Sequence, residues 1–298
     1  MSSGLLCTLF LLPFLGSIAA SLLPVDARKR AAWLSGAVAL GAHLLAWTAY
    51  REVSGGGVVR LDLDWLPVLG IAFTLRLDGF AWVFALLVTG IGFLVALYAG
   101  YYMSRSDPVP RFYSFFLAFM GAMLGVVLSG NLVQVVFFWE LTSLFSFLLI
   151  GYWHRNPEAR EGARMAFIIT SAGGLCLFAG VLLLGSIAGS YDLEAVVAAR
   201  DRIQADALYL PALLLVLAGA LTKSAQFPFH FWLPHAMTAP TPVSAFLHSA
   251  AMVKLGVFLM ARLWPALAGT DEWMWIVGTA GLVTLVLGAY IAIFQNDL

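Results

Sequence analysis

Two of the three lysines in this chain, Lys223 and Lys254, and one acid, Glu140, stand in or directly after long apolar runs. Lys223 follows the run 208–221, Lys254 sits in 243–263, and Glu140 is the one acid in the middle of any apolar run, 132–152. A charged side chain at the centre of a bilayer costs about 2.5–3.5 kcal/mol on insertion scales. An acid and two bases kept at that cost point to movement of ions or protons. The competing reading is a set of buried ion pairs that only hold helices together. His248 shares the run of Lys254, and a histidine can pass protons near neutral pH or simply pack as a hydrogen-bonded core residue. Its separation from Lys254 turns a helix by about 600°, or about 240° net, so the two face different sides unless the helix is distorted. His230 and His235 fall near one membrane face, where they either guide protons or serve as interfacial polar groups. His43 and His154 are weaker candidates, and Asp78 fits a helix cap.

Glu140 lies ~13 Å into its span at the helical rise, and Lys223 is similarly deep in its own. At 4 Å and an effective dielectric near 20 their attraction would be about 4 kcal/mol. Approach or withdrawal of the carboxylate would then decide whether Lys223 keeps its proton. After Lys223 the chain reads Ser224-Ala225-Gln226-Phe227-Pro228-Phe229-His230-Phe231-Trp232-Leu233-Pro234-His235. Pro228 and Pro234 each remove a helix hydrogen bond and clash with the preceding turn, so they predict a helix that breaks or ends just past the lysine. Broken membrane helices are tolerated where they line protein or water, and they mark ion sites in many transporters. Pro240-Thr241-Pro242 then predicts a helix start with Thr241 as N-cap and Pro242 at the first helical position.

The elements that must carry these residues follow from composition. The chain has 298 residues, 62% hydrophobic and 11% charged, with mean hydropathy +0.93; soluble domains carry about twice that charge. Long continuous runs, rather than short alternating ones, predict an all-α polytopic membrane protein. About nine spans near the ~20 residues a crossing needs are expected, at 5–23, 31–50, 80–102, 112–128, 132–152, 165–187, 208–226, 243–263 and 273–294. The seventh is expected to be discontinuous. The first run is read as a retained helix rather than a signal peptide. Net charge is zero, which gives no case for nucleic acid, and Cys7 and Cys176 fit apolar packing.

Basic residues cluster in alternate loops: Arg28, Lys29 and Arg30, then Arg105 and Arg111, then Arg155, Arg160 and Arg164. The positive-inside rule makes these loops cytoplasmic and the N-terminus external. Alternation through 59–65 and 73–77, with Pro67 and Gly70 between, predicts a small β-hairpin at about 58–78 on the outer surface. Residues 192–207 show the spacing of a short interfacial helix.

The runs Phe138-Trp139-Glu140-Leu141-Thr142-Ser143, Leu221 to His230, Trp232-Leu233-Pro234-His235-Ala236-Met237, and Pro240 to Ala245 with His248 resemble the antiporter-like membrane subunits. That family includes the proton-pumping subunits of respiratory complex I and the multisubunit Mrp Na⁺/H⁺ antiporters. Arg111-Phe112-Tyr113, Gly121 to Ser129, Gly151 to Arg160 and Gly189 to Leu193 are most similar to the N-terminal part of the large A-type component of Mrp antiporters. The resemblance implies a fourteen-helix core of two inverted five-helix repeats. It implies that 1–111 holds the first three helices, 112–263 the first repeat and 264–298 the ninth helix, at the start of a second half not represented here. It also implies that Glu140 pairs with the transport lysine, Lys223, that His248 and Lys254 continue a relay, and that His230 belongs to the same motif. A protein of that kind would extend past Leu298.

The expected function is therefore proton translocation within a multisubunit Na⁺/H⁺ antiporter of the bacterial cell membrane. It would be a transporter component rather than an enzyme, with H⁺ and Na⁺ as cargo, no cofactor or bound metal, and other membrane subunits as partners. The alternative is a complex I-like proton-pumping subunit driven by redox chemistry. A membrane haem protein using His43 and His248 as axial ligands, or a purely structural subunit, are further readings.

Overall fold

One helix is buried on nearly every side, and the bundle is built around it. The structure, a computed structural model, describes residues 3–66, 71–104 and 106–294, without the side chains of 66, 71, 249 and 250. The expected turn residues Pro67 and Gly70, with Arg105 and 295–298, lie outside the described residues. In helix α5 (Val109–Val127) every residue but Arg111 and Phe115 is buried, as expected of a helix without a polar stripe. α1 (Ser3–Ser21), α2 (Arg28–Trp47), α4 (Gly79–Tyr102) and α6 (Leu132–Ile150) pack around it. Gly121 and Gly125 let them close in, since a β-carbon at either position would run into the ring of Phe14 or Phe138.

The remaining elements follow in chain order. A one-turn helix α3 (Tyr50–Ser54) ends the second span. The expected hairpin is present as β1 (Val59–Leu66) and β2 (Ile71–Leu77), antiparallel, with Val59 opposite Leu77 and Leu63 opposite Phe73. Its apolar face seats Phe73 against Phe10 and Phe138. Thr74, on the opposite face, is also buried, with its N–H donating to Gln134 Oε1 at 2.8 Å. The hairpin thus packs on both faces of β2, where the alternation alone implied one wet face.

α7 (Pro157–Ala188) is longer than the sixth predicted span. Asn156 caps it, Pro157 occupies the first turn and Glu158 follows, so the helix starts before the apolar run does. The short segment expected at 192–207 forms two helices, α8 (Leu193–Ala198) and α9 (Arg200–Ala205), with Asp192 capping the first. Next come α10 (Tyr209–Lys223), α11 (Trp232–Ala236) and α12 (Thr241–Ser244). A π-helical turn at Ala245–Ala250 leads into α13 (Met252–Leu267), and α14 (Asp271–Ile293) follows. Among the described residues, eight helical segments are long and apolar enough to cross a membrane. The seventh predicted span is instead represented by the shorter α10 and the break after it.

Candidate functional site

α10 ends at Lys223, and the way it ends fixes the lysine. Gln226 N–H donates to Leu221 O and Ala225 N–H to Thr222 O, with Ala225 at φ 51°. This is the left-handed C-terminal closure that usually uses glycine. An alanine there hides the stop from sequence reading, so the apolar run alone predicts a helix to Gln226. Pro228 lies in the non-helical stretch that follows, as expected. Pro234 does not break a helix; it sits inside the short α11, where no earlier turn exists for it to disrupt. Thr241 is not the cap of α12: Pro240 holds that position, and Thr241 Oγ1 donates instead to Tyr102 Oη at 3.1 Å.

Lys223 is wholly buried. Its Nζ donates to Trp139 O at 3.1 Å and to Ser143 Oγ at 2.6 Å, and lies 5.2 Å from the centre of the Trp139 ring. All three contacts come from the turns of α6 that carry Glu140. The negative end of α10's own dipole adds to the neutral oxygens in holding the ammonium. Glu140 forms no ion pair with Lys223 within 4.0 Å among the described residues, although each feels the other's charge. Glu140 Oε1 is buried without a hydrogen-bond partner. Gly174 of α7 makes its space, since a β-carbon there would overlap Oε1. Ser171, one turn earlier on α7, lies beside the carboxylate.

From Lys223 the polar groups continue through Trp232. This buried indole donates from Nε1 to Thr222 O at 2.9 Å, and its ring lies 6.0 Å from that of His248. His248 sits in the π-helical turn with both ring nitrogens buried and unpartnered. The turn is a local widening of the helix of the kind that often marks functional sites. α13 is pressed against this region: Ser224 Oγ donates to Val253 O at 2.6 Å, and a β-carbon at Gly256 would collide with Ala220 O.

The structure does not bring the other candidates to Lys223. Lys254 projects from the exposed face of α13 rather than into the described bundle. His230 is half-buried against the Phe227 ring at 6.1 Å, with Nδ1 unpaired. His235 is exposed and bonds through Nδ1 to Phe231 O at 2.9 Å. His43 is spanned by Trp47 and Thr89 on α2 and α4 and approaches none of these groups. Residue type alone does not single out Ser143, Trp139, Trp232 or Gly174, because their roles depend on which helices meet.

A second charged cluster joins the hairpin to the helices. Asp78 caps α4 through Ala81 N–H at 2.8 Å, as predicted. Its carboxylate also accepts from Arg76 and, through both oxygens, from Arg262 of α13. Burial acts to raise the Asp78 carboxyl, but Arg262, the Ala81 N–H and Arg76 outweigh it and hold the carboxyl well below the usual carboxylate range. Arg60 pairs with Asp62, Asp192 and Glu194, and Arg76 also reaches Glu194. Sequence reading misses Arg262, since its partner is distant along the chain.

Residues 129–298 match the family described as NADH:quinone oxidoreductase/Mrp antiporter, TM. The chain belongs to that family. Residues 65–116 also match the model described as NADH-ubiquinone oxidoreductase (complex I), chain 5 N-terminus. It is 62% identical over 294 residues to a probable K⁺/H⁺ antiporter A/B component of Rhizobium meliloti, covering 99% of this chain and 29% of that one. It is 51% identical over 246 residues to the A component of a Na⁺/H⁺ antiporter of Alkalihalophilus pseudofirmus, covering 82% and 31%. Its fold matches a chain of the Mrp complex from Dietzia sp. with a TM-score of 0.89 and 35% identity, covering 98% and 32%. The chain therefore spans about a third of the length of these relatives.

Proposed function

We propose that this chain supplies a proton-translocating part of a multisubunit monovalent cation/proton antiporter in the bacterial plasma membrane, driven by the proton gradient. One observation carries the reading: a wholly buried lysine is held by neutral oxygens on the turns of α6 that bear Glu140, while Glu140 Oε1 is buried without a hydrogen-bond partner. In this reading Lys223 takes up a proton, and the approach or withdrawal of Glu140 sets how firmly it is kept. His248, reached past Trp232, takes the proton onward. Lys254 on the exposed face of α13 continues toward further protein, and His230 serves the approach from the inner side. Residues 112–263 form the first five-helix unit and 264–298 begin the next. The N-terminus faces outward, so the basic loops at 28–30 and 155–164 lie inside.

The relatives named for K⁺ and for Na⁺ exchange support a monovalent cation as counter-cargo, and we take sodium as the first to test. The full-length protein with its partner subunits, assayed in everted vesicles of an antiporter-deficient strain, provides the experiment. Lys223→Ala and Glu140→Ala are each expected to abolish Na⁺- and K⁺-dependent dissipation of ΔpH while the complex still assembles. Normal exchange by either variant would remove the assignment. Proton pumping by the purified complex on addition of NADH would favour the complex I-like alternative.

A further inference from the structure

At the end of the bundle where α2 begins, a groove of about 950 Å³ opens between the α1–α2 connection and the last turns of α4. Arg28, Lys29 and Arg30 stand on its rim against one acid, Asp26. Below the rim the wall is apolar and uncovered: Leu97, Trp33 and Tyr101 are 41%, 76% and 93% exposed. Arg28 is held in place, with Nη2 donating to Met103 O at 2.5 Å. Ala27 gives α2 no side-chain cap, so the positive end of the helix dipole faces the same rim. Three basic side chains against one acid favour an anionic acceptor, and the adjoining apolar wall favours an acceptor that carries hydrocarbon.

We propose that this groove binds an anionic phospholipid, with its phosphate on Arg28, Lys29 and Arg30 and an acyl chain along Leu97 and Trp33. Free phosphate offers the same anionic oxygens but nothing to cover the apolar wall. Basic pockets between membrane helices on the cytoplasmic side recognise such headgroups, and exposed tryptophan and tyrosine settle at that depth.

Native mass spectrometry of the intact complex, released from micelles containing equal phosphatidylglycerol and phosphatidylcholine, tests the assignment. Phosphatidylglycerol is expected to stay bound in preference to phosphatidylcholine. The double variant Lys29→Gln/Arg30→Gln, at two exposed positions, is expected to weaken retention roughly 30-fold, about fivefold for each charge removed. Leu97→Asn, which leaves the rim intact, should also weaken it. Arg155→Gln/Arg160→Gln removes equal charge from another loop and should leave retention unchanged. Equal retention of both lipids, equal loss in the two double variants, or full retention in Lys29→Gln/Arg30→Gln would each overturn the proposal. Displacement of the lipid by millimolar inorganic phosphate would also overturn it, in favour of a phosphate site.

Discussion

The hairpin-side cluster, partly open to solvent, and the buried α6–α10 interior both gather charged groups, and they treat them in opposite ways. Around Asp78 and Arg60 each named charge touches an opposite charge, and Asp78 and Glu194 each pair with two arginines. Around Lys223 the ammonium donates to neutral oxygens, and Glu140 Oε1 and the His248 nitrogens keep unused hydrogen-bonding capacity. Breaking a buried pair leaves an uncompensated charge, so the first arrangement resists change. The second has no such lock, and a proton can be gained or lost there without dismantling a closed ion pair. Direct pairing serves as joinery between the hairpin, α4 and α13, while near-pairing leaves the interior able to respond.

Crowding the carboxylate is the most severe way to break this contrast. Gly174→Ala places a methyl where Glu140 Oε1 now lies, so the side chain must move. Cation-dependent ΔpH dissipation in vesicles should fall by at least roughly tenfold, the equivalent of about 1.4 kcal/mol. Shortening the acid in the double variant Gly174→Ala/Glu140→Asp should recover part of the rate. No loss in the single variant, or no recovery in the double, would show that the space around Glu140 does not matter.

The opposite outcome is expected at the cluster. Asp78→Asn keeps an acceptor for Ala81 N–H but strips Arg76 and Arg262 of their counter-charge. It should destabilise the protein by roughly 2 kcal/mol, below the ~3–5 of a fully buried pair because these side chains keep some solvent contact. Exchange per assembled complex should be retained. The Asp78 carboxyl is depressed in the folded state, so its stabilising contribution is complete above the ordinary carboxylate pKa of about 3.9 and fades as pH falls toward the lower folded value. Thermal melts of wild type and Asp78→Asn should therefore differ most at neutral pH and converge below about pH 4. A gap that widened on acidification would have the wrong sign for a carboxylate held by arginines.

Trp232→Phe offers a smaller change between the two regimes. It keeps a ring near His248 and removes only the Nε1 donor to Thr222 O. A lost hydrogen bond of this kind costs about 1 kcal/mol, visible in the melt, while exchange should stay within about twofold, because no charge is touched. A loss as deep as that of Lys223→Ala would place Trp232 among the groups that handle protons.

How much of this is legible in the sequence depends on range. The spans around α4 and α6, the cap at Asp78, and the hairpin come from local pattern, since apolar runs and capping residues act on their own neighbours. Hydropathy misses the start of α7 because Asn156 and Pro157 signal it instead. It misses the end of α10 because Ala225 adopts a backbone conformation that glycine usually marks. Glu140, Lys223 and His248 stand out because charge and titratable groups are costly in lipid. Their environment does not: Gly174, Ser143 and Trp232 are ordinary residues until α7, α6 and α11 are set side by side. Lys254 shows the converse, since its run is as apolar as the others and yet its side chain faces outward from the described bundle.

His43 carries the smallest expected effect and sharpens the comparison from the other side. It too lies within an apolar span, and by residue type it is as good a proton carrier as His248. Its surroundings differ. Trp47 Nε1 can only donate, and it lies 3.0 Å from His43 Nε2, so that nitrogen must accept. The ring proton is then on Nδ1, 3.1 Å from Thr89 Oγ1, whose own proton goes to Ala85 O at 2.7 Å. The chain of bonds is closed, and neither nitrogen is free for a proton in transit or a haem iron. His43→Gln should leave cation-dependent ΔpH dissipation unchanged and lower the melt by no more than about 1 kcal/mol. His248→Gln, at a ring with both nitrogens unpaired, should cut exchange severely in the same vesicles. Equal losses in the two variants would mean that histidine in a span is sufficient, and that the hydrogen-bonding state of the ring, on which the distinction between the two regions rests, does not select which groups carry protons.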